Sequence, residues 1–261
     1  MTGGSGAGVS ASERRTHWRI GRAPLGLSTA FAVGLVALLA GGAVAAPAAS
    51  HPSLVSYGPP YTGTTSAVLF GVVSGCGASG GYPVFPGFNL TTGNATSTQK
   101  AASKSCGGAS TSSSFAAIIS FETLAFTTTA GLHHIKAVWT LRYTVSLAAT
   151  PGPTGQSASA SYSVQLSLYL YDRTNGTTFF QNHTVIVSSA ITTGAYTHVF
   201  AGLKKTVYLN ATLVAGHSYQ IQAEISASAA TSVSALGSTS SAMLNMGSAG
   251  KAGTMTSLTR T

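Results

Sequence analysis

From Ile135 to Leu147 every odd position is apolar (Ile135, Ala137, Trp139, Leu141, Tyr143, Val145, Leu147), while the even positions read Lys136, Val138, Thr140, Arg142, Thr144 and Ser146. A period of two sustained this long has one structural solution, an extended strand with one face buried and the other wet. The pattern recurs. Tyr162, Val164, Leu166, Leu168 and Leu170 alternate with Ser161, Ser163, Gln165 and Ser167; Leu203, Val207, Leu209, Ala211 and Leu213 share one face; Tyr219, Ile221, Ala223, Ile225 and Ala227 share another. Asp172 to Gly176 (DRTNG) is turn chemistry, and residues 177–188 return as a partner strand, so this pair reads as a hairpin. Residues 64–74 and 114–126 are more continuously apolar, which predicts strands covered on both sides. Beyond the N-terminal segment no stretch has helical period. About eight to ten strands separated by Gly, Pro and Ser clusters predict an all-β chain. The expected form is an antiparallel two-sheet β-sandwich, Ig/fibronectin III-like or jelly-roll-like, following one N-terminal hydrophobic helix.

One short segment adds to this. Leu213-Val-Ala-Gly216-His-Ser-Tyr219, followed by the alternating Ile221, Ala223 and Ile225, resembles the corner before strand F of fibronectin type III domains. The resemblance covers about 15 residues. It implies a sandwich architecture and a structural role for Tyr219, whose hydroxyl is expected to bond to upstream backbone. Those domains lack the long stretch between Cys76 and Cys106.

The N-terminus has a different character. Arg14, Arg15, Arg19 and Arg22 precede a charge-free run from Ala23 to Ser50, richest at Ala30 to Ala40, which ends in the small-residue run GGAVAAPAAS. Basic, apolar and small-residue parts in this order form a secretory signal, with cleavage expected after Ala45. The same run is long enough to stay in the membrane as a signal anchor. Either way the arginines hold the N-terminus inside and the rest is exported. The expected organisation is a basic cytoplasmic lead (1–22), a signal peptide or anchor (23–46), a linker (47–63), an extracellular β-sandwich domain (64–247) and a flexible tail (248–261).

Composition supports export. The cysteines are two, Cys76 and Cys106, and two cysteines in an exported chain most often pair. Five of the six asparagines (Asn89, Asn94, Asn175, Asn182 and Asn210) stand in Asn-x-Thr sequons, far beyond what 70 Ser and Thr among 261 residues give by chance. They are candidate glycosylation sites. The net charge of +9 does not imply nucleic acid. Four arginines belong to the lead, and the largest cluster in the remainder is Lys204-Lys205, without a basic stripe interleaved with aromatics. Envelope components, glycans or other surface proteins are the expected partners, with membrane contact through the N-terminal segment if it is retained.

Charged residues make up only 7% of the chain, so catalysis has little to draw on. The acids beyond the lead are Glu122, Asp172 and Glu224. Asp172 lies in a turn, where aspartate bonds local backbone. Glu224 sits on the polar face of its strand. Glu122, between Phe121 and Thr123, is expected to be partly buried and paired with a cation such as Lys136. His133 and His134 point to opposite faces of a strand and cannot easily share a metal ion. No Gly-x-Ser-x-Gly elbow occurs. A non-catalytic protein without cofactor or metal is therefore expected. Its candidate binding residues are Tyr169 and Tyr171, on the face opposite the apolar one, and Tyr82, Phe85 and Phe88 in the Cys-bounded stretch, since aromatics on a sheet can stack against sugars or partner proteins.

Overall fold

Inward-facing Trp139, Tyr143, Leu166, Ile225 and Phe121 define the centre of the molecule, and the alternation that carries them is what makes the chain fold as strands. The structure, a computed structural model, describes residues 54–153, 157–234 and 236–261. The basic lead, the apolar segment 23–46 and its cleavage position lie outside the described residues. Among the described residues there is no helix, hence none long and apolar enough to cross a membrane.

Two antiparallel sheets account for the strands of the described residues. The first contains β1 (Val55–Tyr57), β3 (Ala78–Asn89), β4 (Asn94–Lys104), β7 (Gly131–Thr150), β10 (Gly194–Leu213), β12 (Thr239–Asn245) and β13 (Ala252–Arg260). The second contains β2 (Gly63–Ser74), β5 (Thr111–Thr123), β6 (Phe126–Thr127), β8 (Ala158–Asp172), β9 (Thr177–Ile191) and β11 (Ser218–Val233). In the first sheet β12 and β13 lie end to end between β4 and β7, with β3 and β10 at the two edges. The second sheet runs β2-β5-β11-β8-β9. One core cluster draws side chains from both sheets. Between the sheets, Ser103 Oγ and Thr231 Oγ1 are 2.8 Å apart, a buried hydroxyl pair. At Gly253 of β13 the layers approach closely, since a Cβ there would lie 2.7 Å from Ile225 Cδ1.

Three sequence expectations are corrected. Residues 252–260, predicted as part of a loose tail, form β13, with Met255 and Leu258 fully buried. A register shift between Met255 and Ser257 places two inward residues three apart, and that conceals the alternation. Within the predicted linker, Val55–Tyr57 pair with Leu258–Arg260, and Tyr61 is buried with its hydroxyl donating to the Met255 carbonyl over 2.7 Å. The strand at 64–74 is not covered on both sides: β2 is an edge strand, and its apolar residues are exposed.

The predicted hairpin of β8 and β9 is present, with antiparallel register from Asp172↔Thr177 to Ala160↔Ile191. Gly176 turns its corner at φ 67°, in the left-handed region that favours glycine. The corner before β11 is also as the sequence implies. The Val214 N–H donates to the Tyr219 hydroxyl over 2.9 Å, five residues upstream of a fully buried ring. Cys76 and Cys106 form a disulfide that ties the β2–β3 connection to the end of β4, with Cα atoms 6.3 Å apart.

Candidate functional site

The outer face of the second sheet gathers most of the polar chemistry. Odd positions of β8 face outward here and carry Ser167, Tyr169 and Tyr171, with Arg173 continuing the row past the strand end. Antiparallel pairing sets Tyr171 opposite Gln220, Tyr169 opposite Gln222 and Ser167 opposite Glu224. On the other side of β11, Glu122 and Ser120 of β5 complete the face. The Tyr169 and Tyr171 rings are near-parallel, 27° between planes and 6.3 Å between centroids, and the Arg173 guanidinium lies 5.2 Å over the Tyr171 ring. Arg173 Nε donates to Gln220 Oε1 over 2.5 Å. Gln220 Nε2 donates in turn to the Thr123 carbonyl and to Glu122 Oε2, at 2.8 and 3.2 Å. Glu122 thus pairs with Arg173, 3.6 Å away, rather than with Lys136, which belongs to the other sheet.

Glu224 is the unusual member. It lies on the outward face, as its strand pattern predicts, yet only 8% of it is exposed, and Ser120 and Ser167 beside it are equally covered. Burial pushes its carboxyl above the ordinary glutamate range, and a hydrogen bond from Tyr169 offsets only part of this. Burial likewise raises the Tyr169 phenol.

Asp172 points to the opposite side of β8 and serves the corner. Its Oδ1 accepts the backbone N–H groups of Thr174 and Asn175 at 3.0 and 3.3 Å. Its Oδ2 accepts Asn175 Nδ2 and His217 Nδ1, both at 2.8 Å. Desolvation alone would raise this carboxyl, but the bonds from His217, Asn175 and Thr174 outweigh it and hold the group below the ordinary aspartate range. An aspartate bonded to the Nδ1 of a histidine is half of a hydrolytic triad. No serine or threonine hydroxyl bonds the other ring nitrogen of His217 among the described residues. The pair joins the turn after β8 to the corner before β11.

The remaining candidates separate. Tyr82 sends its hydroxyl to the carbonyl oxygens of Phe70 and Ala116, at 2.6 and 2.8 Å, and sets its ring edge-on to Phe115. Phe88 packs on Tyr61 and Phe121 beside the core. Phe85 alone stands out, 74% exposed. These three form no common platform with Tyr169 and Tyr171. His133 is buried between the Thr261 and Thr129 carbonyls, and His134 faces the other way, 2.8 Å from Asn210 Oδ1. Among the described residues no group of His, Cys, Asp and Glu is arranged to hold a metal ion.

Of the sequon asparagines, Asn89, Asn175, Asn182 and Asn210 are exposed, and Asn94 is half-buried. The amide oxygen is the bonded atom at three of them: Asn89 accepts from the Thr91 and Thr92 backbone, Asn94 from Thr254 Oγ1, and Asn210 faces His134. The amide nitrogen is bonded at Asn175 and Asn182, to Asp172 and to the Tyr208 carbonyl. Sequence reasoning missed Arg173, Gln220 and Gln222. The even positions of β11 could have revealed the glutamines once they were set against the odd positions of β8.

No family model matches the sequence, and no curated protein matches it. Among solved structures, the enzymatically active domain of tailspike protein 4 from bacteriophage CBA120 is similar at 10% identity with a TM-score of 0.24. The match covers 69% of this chain and 19% of the tailspike chain, so the chain spans about a fifth of that protein's length, and the likeness is too distant to bear on activity.

Proposed function

We propose that the chain is an exported surface protein with a structural or adhesive, non-catalytic role, built on a β-sandwich of jelly-roll connectivity. The connectivity rests on strand order. β2 lies against β3, β5 against β4, β8 against β7, β9 against β10 and β11 against β12, so the strands facing one another are neighbours in sequence. The pair that comes last is inserted in the middle, as in a jelly roll. The disulfide suits an oxidising compartment. The observation that carries the non-catalytic role is the employment of the carboxylates. Asp172 holds a turn, Glu122 holds Arg173 and Gln220, and Glu224 is buried against Tyr169, so each of the three is engaged within the fold. Glycans at the exposed sequons fit the same reading, with Asn89 and Asn210 presenting their amide nitrogens most openly.

Intact-mass analysis of the native protein, with peptide mapping, tests this. The expected result is a surface-exposed or released chain with an oxidised cysteine pair and glycan on at least two sequons. Recovery of an intracellular chain with free thiols and bare asparagines overturns it. A second reading, a glycan-binding sandwich, is favoured by the parallel Tyr169 and Tyr171 rings flanked by Arg173, Gln220 and Gln222. Titration with envelope oligosaccharides separates the two readings: saturable binding lost in Tyr171→Ala, with the fold retained, supports the second.

A further inference from the structure

The four principal sheet edges of the molecule are unequal. β3 is interrupted by Pro83 and Pro86, and its pairing with β4 shifts at Gly81/Val84 and Val84/Gly87. β10 carries a shift at Ala201/Leu203 and then Lys204 and Lys205. β9 is shifted twice against β8 and bears the Asn182 sequon. Prolines, bulges and lysines are the devices that keep an edge from pairing with another chain. β2 has none. Its 12 residues, GTTSAVLFGVVS, contain no charge and no proline, and they pair without a shift from Gly63↔Thr123 to Ser74↔Ser112. Val68, Leu69, Phe70, Val72 and Val73 are all exposed, Phe70 at 51% and Val72 at 65%. None of the five sequons falls on β2 or on its neighbour β5.

We propose that β2 is an assembly edge and that its occupant is β2 of a second copy, paired antiparallel so that the second sheet continues across a two-fold axis. This deepens the structural role proposed above. The Tyr82 hydroxyl reaches the carbonyl oxygens of both Phe70 and Ala116, which places the Phe70 backbone groups on the β5 side. Those of the neighbouring odd residues, Leu69 and Gly71 among them, therefore face outward. A two-fold axis perpendicular to a sheet keeps each face on its own side, so paired residues must have the same parity and the axis must pass through a residue. Centred on Phe70, it sets Phe70 beside its own copy and Val68 beside Val72 on the outer face, while Leu69 and Gly71 exchange backbone hydrogen bonds. Each cross-strand pair near the axis is then apolar. The five apolar side chains expose on the order of 450 Å² per copy, so the pairing covers on the order of 1,000 Å² in total once the strand itself is counted, which is where specific interfaces begin.

Sedimentation velocity on residues 50–261, a compact unit with its own core and disulfide, tests the proposal. The wild-type unit is expected to dimerise in the micromolar range. Phe70→Lys and Val72→Lys should each weaken the dimer at least about tenfold while leaving the circular dichroism spectrum and melting curve of the monomer unchanged. Phe70→Cys should form a disulfide-linked dimer in air, because opposed residues at the axis have their Cβ atoms close together. A wild-type unit that stays monomeric at several hundred micromolar overturns the proposal, as does a dimer indifferent to both lysines. These outcomes leave export and glycosylation untouched, since those are read by mass and location.

Discussion

Asp172 and Glu224 are both covered by protein, at 1% and 8% exposure, and their carboxyls are displaced in opposite directions. Asp172 ends β8, where two free backbone N–H groups, an asparagine amide and a histidine ring converge on it. Glu224 lies in mid-strand, where every backbone N–H is already spent on the ladder, and only side chains can answer it: Tyr169, and Gln222 at 3.5 Å. Burial is thus not what decides the state of an acid here. The supply of donors is, and strand ends supply them while strand middles do not.

The largest effect should come from removing the well-supplied acid. Asp172→Ala strands four donors at one corner and should lower the melting midpoint at pH 7 by more than about 5 °C, followed by circular dichroism. Because the folded pKa is lowered, the contribution is complete above the unfolded aspartate value and fades as pH falls below about 4, so wild type and variant should converge in acid. A difference that persists at pH 2 would break the comparison. Next, Tyr219→Phe removes the acceptor for Val214 N–H in the same corner and should cost about 1 kcal/mol in urea denaturation. Smaller and opposite in sign, Glu224→Gln should raise the midpoint at pH 7 by on the order of 2 °C. The folded pKa of Glu224 is raised, so its penalty is absent below the unfolded glutamate value and grows as pH rises through the folded one. The gain should therefore vanish near pH 4, and a pH-independent gain would mean that packing rather than charge is responsible. Least of all, Glu122→Gln should change stability by under about 0.5 kcal/mol, since its bond to Arg173 lies at the surface.

That ranking is not visible in the sequence, because chain position reveals a face but not what covers it. Glu122 is half-buried beside Phe121, as expected, but the cation it meets is Arg173 of the same sheet and not Lys136. Glu224 is correctly placed on the polar face, but its cover comes from Tyr169 of a neighbouring strand. β7, β8 and β11 are legible because long runs of their inward residues, from Ile135 to Ala149, Ala158 to Leu170 and Tyr219 to Ala229, are apolar. β4 is not, since Ala95, Ser97, Gln99, Ala101 and Ser103 supply its buried side and leave no hydrophobic period. The first half of β10 is hidden by the shift at Ala201/Leu203, which moves the inward set from Tyr196 and Phe200 to Leu203 and Val207. The disulfide and the turn role of Asp172 follow from residue type alone. Arg173 and Gln220 belong to the candidate face only through cross-strand register, which no single segment contains.

The placing of β11, β12 and β13 governs when this protein can fold. β4 and β7 do not pair with each other, nor do β5 and β8; each pair is joined by a strand that comes later in the chain than both. A ribosome that has released everything up to Leu213 has therefore made hairpins and half-sheets whose inner edges are still empty. Closure must wait for residues 218–260, so the transition from open to native is late and dominated by long-range contacts. A chain arranged in this way stays threadable until β11, β12 and β13 have been delivered, and becomes rigid only then.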